Sequence, residues 1–448
     1  MTFYKTLFTI AVPIILQNFL SSLVNMLDTV MVGQLGSIDI AAAALGNQVF
    51  FVMTIMQFGI VSGGSIFISQ YWGKKDLDGV HRTMGITLSS ATLISLVFFL
   101  LALFIPEEIL SLYTKDLMVI ERGARYLRTV SPSYILIGIG FAFGHAMRST
   151  ERVVLPTVAT AIATVLNAIL NYAFIFGFSV GSRTILLPHG LTGAAIATDI
   201  SRVIELLILI IIPYVKHYEV AVHPKRFFKR QPGFFARYIR IAFPVFFNEC
   251  LWGTGTSIQS SIYGHAGTNV IAAFNIMNTN SSLIWTFFIG CGNAAAIIIG
   301  KKIGEGSREE SYSMAKRMVK FMALSAVGLA LLLIPLAFLL PYFFKVEEDV
   351  IHMARVFILM TASLYPLFAV CMCMVVGVCR SGGDTLYSTI MDIGFMWGIA
   401  IPLGFLAVYL FHLPYWAIFL CLHTEDIFKT TMALLRLKSG KWLHDVTN

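Results

Sequence analysis

Stretches of about 20 apolar residues, each long enough to cross a hydrocarbon core, recur from one end of this sequence to the other. They fall near residues 7–32, 42–71, 86–106, 126–146, 155–178, 189–214, 241–263, 269–299, 318–341, 351–378, 385–411 and 414–435. Within lipid a spanning segment has to satisfy its own backbone hydrogen bonds, and helices do so. The sequence therefore predicts an all-α polytopic membrane protein with twelve transmembrane helices. Composition agrees: 57% of the 448 residues are hydrophobic and 12% charged, about half the charged share of a soluble domain. The first run is not read as a cleaved signal peptide, because it lacks a small-residue cleavage pattern and continues as a polar-spotted helix.

The net charge of +8 raises the question of nucleic acid or a membrane surface. Position decides it. Most of the 32 Lys and Arg fall at the N-terminus, in the even-numbered connections or at the C-terminus. Lys115, Arg122, Arg125, Arg128, Arg183, Lys345 and Arg355 fall on the other side, with the acidic clusters Glu107-Glu108 and Glu347-Glu348-Asp349, and Arg202 lies within a span. The positive-inside rule then places both termini in the cytoplasm of a multi-pass plasma-membrane protein. The basic balance is topology, and no nucleic-acid partner is implied.

The longest polar connection, residues 215–240, divides the chain into an N-lobe, 1–214, and a C-lobe, 241–448. The halves repeat. "IAVP" at 10–13 returns as "IAFP" at 241–244, and at the same offset of 231 Gly33 meets Gly264, Gly36 meets Gly267, Asn47 meets Asn278 and Gly73 meets Gly304. Later, "MRS" at 147–149 parallels "CRS" at 379–381, shifted by 232. Six spans per half is an even number, so both halves enter from one side as parallel repeats about an axis along the membrane normal. Such a chain is expected to enclose a central cleft between two bundles, the geometry of rocking transport. Pro13 and Pro244 occupy equivalent places in the first helix of each half, where proline kinks a helix and offers a hinge.

Polar stripes cross this apolar background. Gln17, Ser21, Asn25 and Asp28 share one face of the first helix. The offset of 231 turns them into Asn248, Trp252, Thr256 and Gln259. Span five carries Thr160, Thr164, Asn167 and Asn171, and span eight adds Asn275, Asn278 and Ser282. Lipid satisfies none of these groups, so the stripes must face other helices or a water-filled cavity. A charge at the bilayer centre costs roughly 3 kcal/mol or more and is kept for ion or proton work, or paired with a cation. Asp28 is accordingly read as the site of a proton or small cation such as Na+, with Asn167 and Asn171 as neutral oxygen ligands and Gln17 and Asn25 on the same face.

Glu249, beside Asn248, and Asp392, in "STIMDIGFMWG", are candidates for a substrate or second coupling site, together with Trp252, Gln259 and Asn278. Asp199, Arg202 and Glu205 stand at i, i+3 and i+6 and read as a structural salt bridge, with Arg202 able to pair with either neighbour. Glu425, Asp426 and Lys429 in the last span read likewise. "GGD" at 382–384 follows Arg380 and reads as a turn at the cytoplasmic boundary. All six cysteines lie in apolar stretches without metal-ligand spacing. No Walker A, H-E-x-x-H or G-x-S-x-G pattern is present, so an ATP-driven pump and an enzyme both lack support.

These motifs together resemble the multidrug and toxic compound extrusion (MATE) transporters over essentially the whole length. The carrying stretches are "PIILQNFLSSLVNMLDTVMVGQLG", "GGSIFISQYWGKKD", "LNAILNYAFIFG", "RSGGDT" with the downstream Asp392, and "LLRLKSGKW". The resemblance implies twelve helices in two pseudo-symmetric six-helix lobes. It also implies export of amphipathic, often cationic drugs or dyes against inward H+ or Na+ flow, by a monomer in the bilayer with no cofactor beyond the coupling ion. The family's acidic residue of the first helix falls on Asp28, and that of the seventh, in the branch that has one, on Glu249. Some bacterial branches carry an aspartate where this chain has Asn171, so the pattern looks more like the NorM-type branch. A lipid-linked precursor flippase of the same superfamily is the alternative; it would prefer a strongly cationic cavity, and only Arg202 lies clearly inside a span. Aromatic and methionine side chains at Trp252, Tyr263, Met277 and Trp285 suit promiscuous drug contacts.

Overall fold

The computed structural model describes residues 3–180, 183–222, 232–343 and 346–447. Twelve long helices occupy the twelve apolar runs: α1 (Phe3–Gly33), α2 (Ser37–Gly73), α3 (Leu77–Phe104), α4 (Leu117–Ser149), α5 (Val154–Phe176), α6 (Gly190–Val215), α7 (Phe234–Ala266), α8 (Thr268–Gly304), α9 (Arg308–Leu339), α10 (Glu348–Cys379), α11 (Thr385–Leu410) and α12 (Tyr415–Ser439). Nine of them are long and apolar enough to cross a membrane. The other three, α6, α7 and α12, carry the intramembrane charges Asp199, Arg202 and Glu205, then Glu249, then Glu425, Asp426 and Lys429. A short helix, Pro106–Ser111, follows α3, and a two-stranded antiparallel hairpin, Phe178–Val180 with Arg183–Leu186, joins α5 to α6.

The internal repeat is visible in the helix limits. The first five helices of the second half begin 231 residues after their counterparts: Phe3 and Phe234, Ser37 and Thr268, Leu77 and Arg308, Leu117 and Glu348, Val154 and Thr385. Within α10 the register slips by one, so that Arg148 matches Arg380 at 232. A π-helical stretch at Cys373–Cys379 lies just before Arg380, and such a stretch is how a helix absorbs one extra residue. Repeated glycines have a physical reason too. Gly36 (φ 114°) and Gly267 (φ 142°) turn the chain between the first two helices of each half in a conformation that side chains rarely adopt. Gly73 and Gly304 let the ends of α2 and α8 cross: a Cβ on Gly73 would lie 2.0 Å from the Lys301 carbonyl oxygen, and one on Gly304 1.9 Å from that of Gln70.

Packing divides the chain into two compact units, each with its own core. One comprises residues 16–68 and 77–238, the other 1–15, 69–76 and 239–448. The division does not fall at a single point, since the first turns of α1 and the end of α2 pack with the later helices. In the first unit Val49, Met53, Leu127 and Tyr134 centre a cluster of α2, α3 and α4. In the second, Tyr263, Phe274, Phe357 and Phe419 interlock α7, α8, α10 and α12. Leucine and valine side chains such as Leu93, Val97, Leu324 and Leu331 stay exposed on helices that otherwise pack well, as lipid-facing positions do. Two sequence expectations shift. Residues 234–240 belong to α7, and Val215 still to α6, so the polar connection begins to turn at Lys216. The centre of that connection, residues 223–231, lies outside the described residues, as does Lys345.

Candidate functional site

In the first unit, α5 turns Thr160, Thr164, Asn167 and Asn171 inward, all buried. The spacing of three and four residues that puts them on one face also lays them against the polar face of α1. Asn171 Nδ2 donates to Asp28 Oδ1 at 2.5 Å and to Asn167 Oδ1 at 3.3 Å. Asn167 Nδ2 in turn donates to Thr198 Oγ1 on α6 at 3.3 Å. Among the described residues Asn171 Oδ1 is buried without a hydrogen-bond partner. Asp28, Asn25, Asn167, Asn171 and Thr198 line one cavity of about 560 Å³ within this unit. Asn25 stands exposed to it and makes no side-chain hydrogen bond among the described residues. A carboxylate, two amide oxygens and a hydroxyl around a cavity form an oxygen-only donor set, which suits a hard monovalent cation or a proton.

Gln17 shares the helical face but not the site. It lies eleven residues before Asp28, about 16 Å along the helix at 1.5 Å per residue. Its amide donates to Thr160 Oγ1 at 2.9 Å and accepts from Arg148 Nη1 at 3.1 Å. Thr160 Oγ1 donates to Glu205 Oε1 at 2.7 Å, and Glu205 pairs with Arg202 at 2.6 Å. Arg202 thus chooses Glu205. Asp199 is left to accept from the Ser133 backbone N–H at 3.2 Å.

The second unit holds a denser charge network. Arg380 Nη2 bonds Glu249 Oε1 at 2.5 Å and Asn248 Oδ1 at 3.2 Å. Asn248 Nδ2 donates to Asp392 Oδ2 at 3.0 Å, and Lys429 Nζ reaches Asp392 Oδ1 at 2.9 Å and Glu425 Oε2 at 3.0 Å. Asp426 pairs with His423 at 3.0 Å instead of with Lys429. Arg380 follows α10 and opens the turn expected at "GGD", its carbonyl accepting from the Gly383 N–H at 2.9 Å, while its side chain is 3% exposed and salt-bridged. The side-chain distances show that Glu249 and Asp392 are paired carboxylates. A usable signal stood in the sequence: Arg148 and Arg380 are the arginines of the repeated "MRS" and "CRS", and their partners Gln17 and Asn248 are 231 apart. Asp28 has no such double, because the same offset leads to Gln259.

Trp252 stacks on Trp285 with ring centroids 5.6 Å apart and planes 16° from parallel, and Trp285 meets Phe368 at 4.7 Å. Tyr263 and Met277 are instead buried in the core, which withdraws them as drug contacts. Gln259 and Asn278 join neither network: Gln259 is partly buried, Asn278 exposed, and both lack side-chain hydrogen bonds among the described residues.

A sequence-family model described as MatE matches the chain twice, over residues 13–173 and 244–406, beginning at the two repeat-related prolines. The probable multidrug resistance protein YoeA of Bacillus subtilis is 23% identical over 90% of this chain and 86% of its own length. The probable multidrug resistance protein NorM of Thermotoga maritima is 23% identical over 98% and 93%. Among solved structures, a MOP superfamily transporter from Pyrococcus furiosus superposes with a TM-score of 0.84 at 17% identity, covering 98% of this chain and 96% of that one. A MATE crystal structure in the bent conformation reaches 0.86 at 18% identity over 98% and 97%. Twelve helices, a doubled family match that keeps the internal repeat, and NorM-named relatives along nearly the whole chain lead to one assignment: the chain belongs to the MatE family, in its NorM-like branch.

Proposed function

We propose that the chain is a secondary active multidrug efflux antiporter, exporting amphipathic, often cationic compounds in exchange for H+ or Na+ by alternating access. The observation that carries this reading is Asp28, a membrane-embedded carboxylate on a cavity, ringed by amides and without an ion-pair partner among the described residues. A charge in that position is stabilised by binding a cation, and cation binding favours one arrangement of the helices only as far as it binds that arrangement better. The membrane potential alone is an adequate driving force for a neutral drug, or for a cationic one when one more cation enters than drug charges leave. One elementary charge moved through 100 mV supplies about 2.3 kcal/mol, enough for a drug gradient of about 50-fold at 1.4 kcal/mol per decade.

The Trp252–Trp285 stack supports a planar, cationic partner, since aromatic faces attract such cations without demanding one shape. The relatives' names describe multidrug resistance, in keeping with this substrate class. The flippase alternative is weakened although Arg148, Arg380 and Lys429 join Arg202 inside helices. Arg380, Lys429 and Arg202 are each neutralised by a carboxylate, so they form no cationic cradle for a pyrophosphate. On this reading the protein performs no chemistry on its substrate, works as a monomer in the plasma membrane and keeps both termini in the cytoplasm.

The test is ethidium efflux from vesicles holding the purified protein, with H+ and Na+ gradients imposed separately. One gradient should drive accumulation against the dye's own gradient. Efflux indifferent to both would overturn the antiport reading.

A further inference from the structure

Asp199 is the intramembrane carboxylate of the first unit that the networks above leave unexplained. It stands three residues before Arg202, yet Arg202 gives its guanidinium to Glu205 at 2.6 Å. Asp199 has no ion pair among the described residues. It holds a backbone amide instead, the Ser133 N–H at 3.2 Å. The sequence makes that amide available. Pro132 lies inside α4, where its ring opens the helical ladder. Ser131 Oγ and Ser133 Oγ turn back to the carbonyls of Arg128 and Val130 at 2.9 and 2.6 Å.

A neutral oxygen would serve this amide equally well. Asparagine or threonine at 199 would accept the same hydrogen bond without the roughly 3 kcal/mol cost of a charge within a span. The charge is therefore what needs a reason. Its surroundings supply one. Tyr134 follows Ser133 in α4, is 1% exposed and lines the cavity that holds Asp28, and its buried Oη has no hydrogen-bond partner among the described residues. Ser133, which bonds Asp199, and Thr198 and Ser201, which flank it on α6, line that cavity as well, together with Tyr126. The other titratable groups nearby are occupied: Glu205 by Arg202 and Thr160, Arg148 by Gln17. From α5 only amides and hydroxyls face this region.

We propose that Asp199 is a second cation-carrying carboxylate of the first unit, taking up H+ or Na+ alongside Asp28, with the Tyr134 and Ser133 side-chain oxygens as its neutral ligands. This rests on the antiport reading above and extends it to two cations per drug molecule. With H+, a bound proton bridges Asp199 and the orphan Tyr134 hydroxyl; with Na+, both oxygens coordinate it. No bond other than the carboxyl O–H or the ion contact is made or broken.

The test is the thermodynamic limit of transport, which is independent of rate. Purified protein in vesicles is given a tenfold cation gradient at clamped zero potential, H+ and Na+ in separate runs, with tetraphenylphosphonium as the drug. The accumulation ratio at which net flux stops is then read. Each coupled cation multiplies that limit by about ten, so Asp199→Asn should lower it about tenfold, whereas Asp199→Glu should hold the wild-type value. Asp199→Thr also offers an oxygen to the Ser133 amide and gives the same reading should the Asn variant misfold. A wild-type limit in Asp199→Asn or Asp199→Thr would overturn the proposal and leave Asp199 as a partner for the helix break. Asp28→Asn is run beside them: if it too keeps the full limit, the antiport reading itself fails, an outcome distinct from a silent Asp199.

Discussion

Asn171 turns its amide nitrogen to Asp28 at 2.5 Å and leaves its carbonyl oxygen buried with no donor among the described residues. An unsatisfied buried acceptor costs about 1–3 kcal/mol, and here it borders a carboxylate across a cavity. On the antiport reading proposed above, a cation taken up beside Asp28 would stabilise the carboxylate and offer that oxygen a partner.

Substituting Asn171 tests that reading. Asn171→Leu keeps an apolar bulk of similar size and removes both the donor to Asp28 and the orphan oxygen. The variant should fold, because an unsatisfied polar atom disappears with it, yet gradient-driven efflux should fall by about tenfold or more. Asn171→Gln, which restores an amide on a longer stem, should recover part of the loss. Unchanged ethidium efflux in Asn171→Leu vesicles would remove this residue from the site.

How much of this was legible in the sequence follows from what periodicity encodes. Apolar length gave twelve helices, and the offset of 231 anticipated where the later ones begin. The polar stripe on α5 found Asn167 and Asn171, because residues at three- and four-residue spacing share a face whatever the tertiary structure does. The same rule misplaced Gln17: a face extends along the whole helix, and a site occupies one level of it. Partner choice was beyond reach for a related reason. Nothing along α12 says whether Lys429 meets Asp426 in its own helix or Asp392 on α11. Arg380 does open the turn that "GGD" announces, but nothing there says that its side chain meets Glu249, and the one-residue slip in α10 that sets it beside Glu249 has no mark in composition. The repeat could have helped, since Arg148 and Arg380 recur together with Gln17 and Asn248.

Breaking the Glu249–Arg380 pair should be costly and repairable. Arg380 is buried, and removing one member of a buried pair strands the other at about 3–5 kcal/mol. Glu249→Gln removes the carboxylate that Arg380 bonds at 2.5 Å, so the variant should lose thermal stability in detergent. Adding Arg380→Gln should restore much of it, with a coupling of about 2–3 kcal/mol in the double-mutant cycle. Additive losses would show the two side chains to be energetically independent.

Sidedness makes a further prediction. With cysteines placed singly in a cysteine-free protein, an impermeant maleimide added outside intact cells should label positions in Pro106–Ser111 and leave Lys216–Val222 and Lys441–Thr447 untouched. Glu107 there is held by Arg128 through two bonds of 2.6 and 2.7 Å, so residues 112–116 are the better labelling targets. Labelling of Lys441–Thr447 from outside would reverse the assigned orientation.

The C-terminal segment after α12 should be docked at neutral pH and released by acid. Gln70, at the end of α2, donates to the carbonyls of Ser381 and His444 at 2.7 and 3.1 Å and accepts from the Val446 N–H at 2.9 Å. His444 N–H donates to the Gly382 carbonyl at 3.0 Å, and Trp442 is fully buried. Asp445 ties the segment to Lys74 at 2.9 Å. Burial opposes ionisation of Asp445, but hydrogen bonds from Thr447 and Lys74 outweigh it and hold the carboxyl below its ordinary range. A folded-state value below the unfolded one means that the ionised carboxylate stabilises docking. That contribution is present above the unfolded value of about 3.9 and is lost as pH falls through the folded one. Hydrogen exchange at the Val446 and His444 amides, corrected for intrinsic rates, should therefore show protection at pH 6–7 that fades below about pH 4. Asp445→Asn should weaken protection at neutral pH and abolish its acid dependence. Gln70→Leu should expose both amides at every pH, because it strands the Ser381 carbonyl and the Val446 N–H at about 1–3 kcal/mol each. Protection that survives Gln70→Leu would mean that the buried Trp442 ring alone, and not this hydrogen-bonded clasp, holds the segment down.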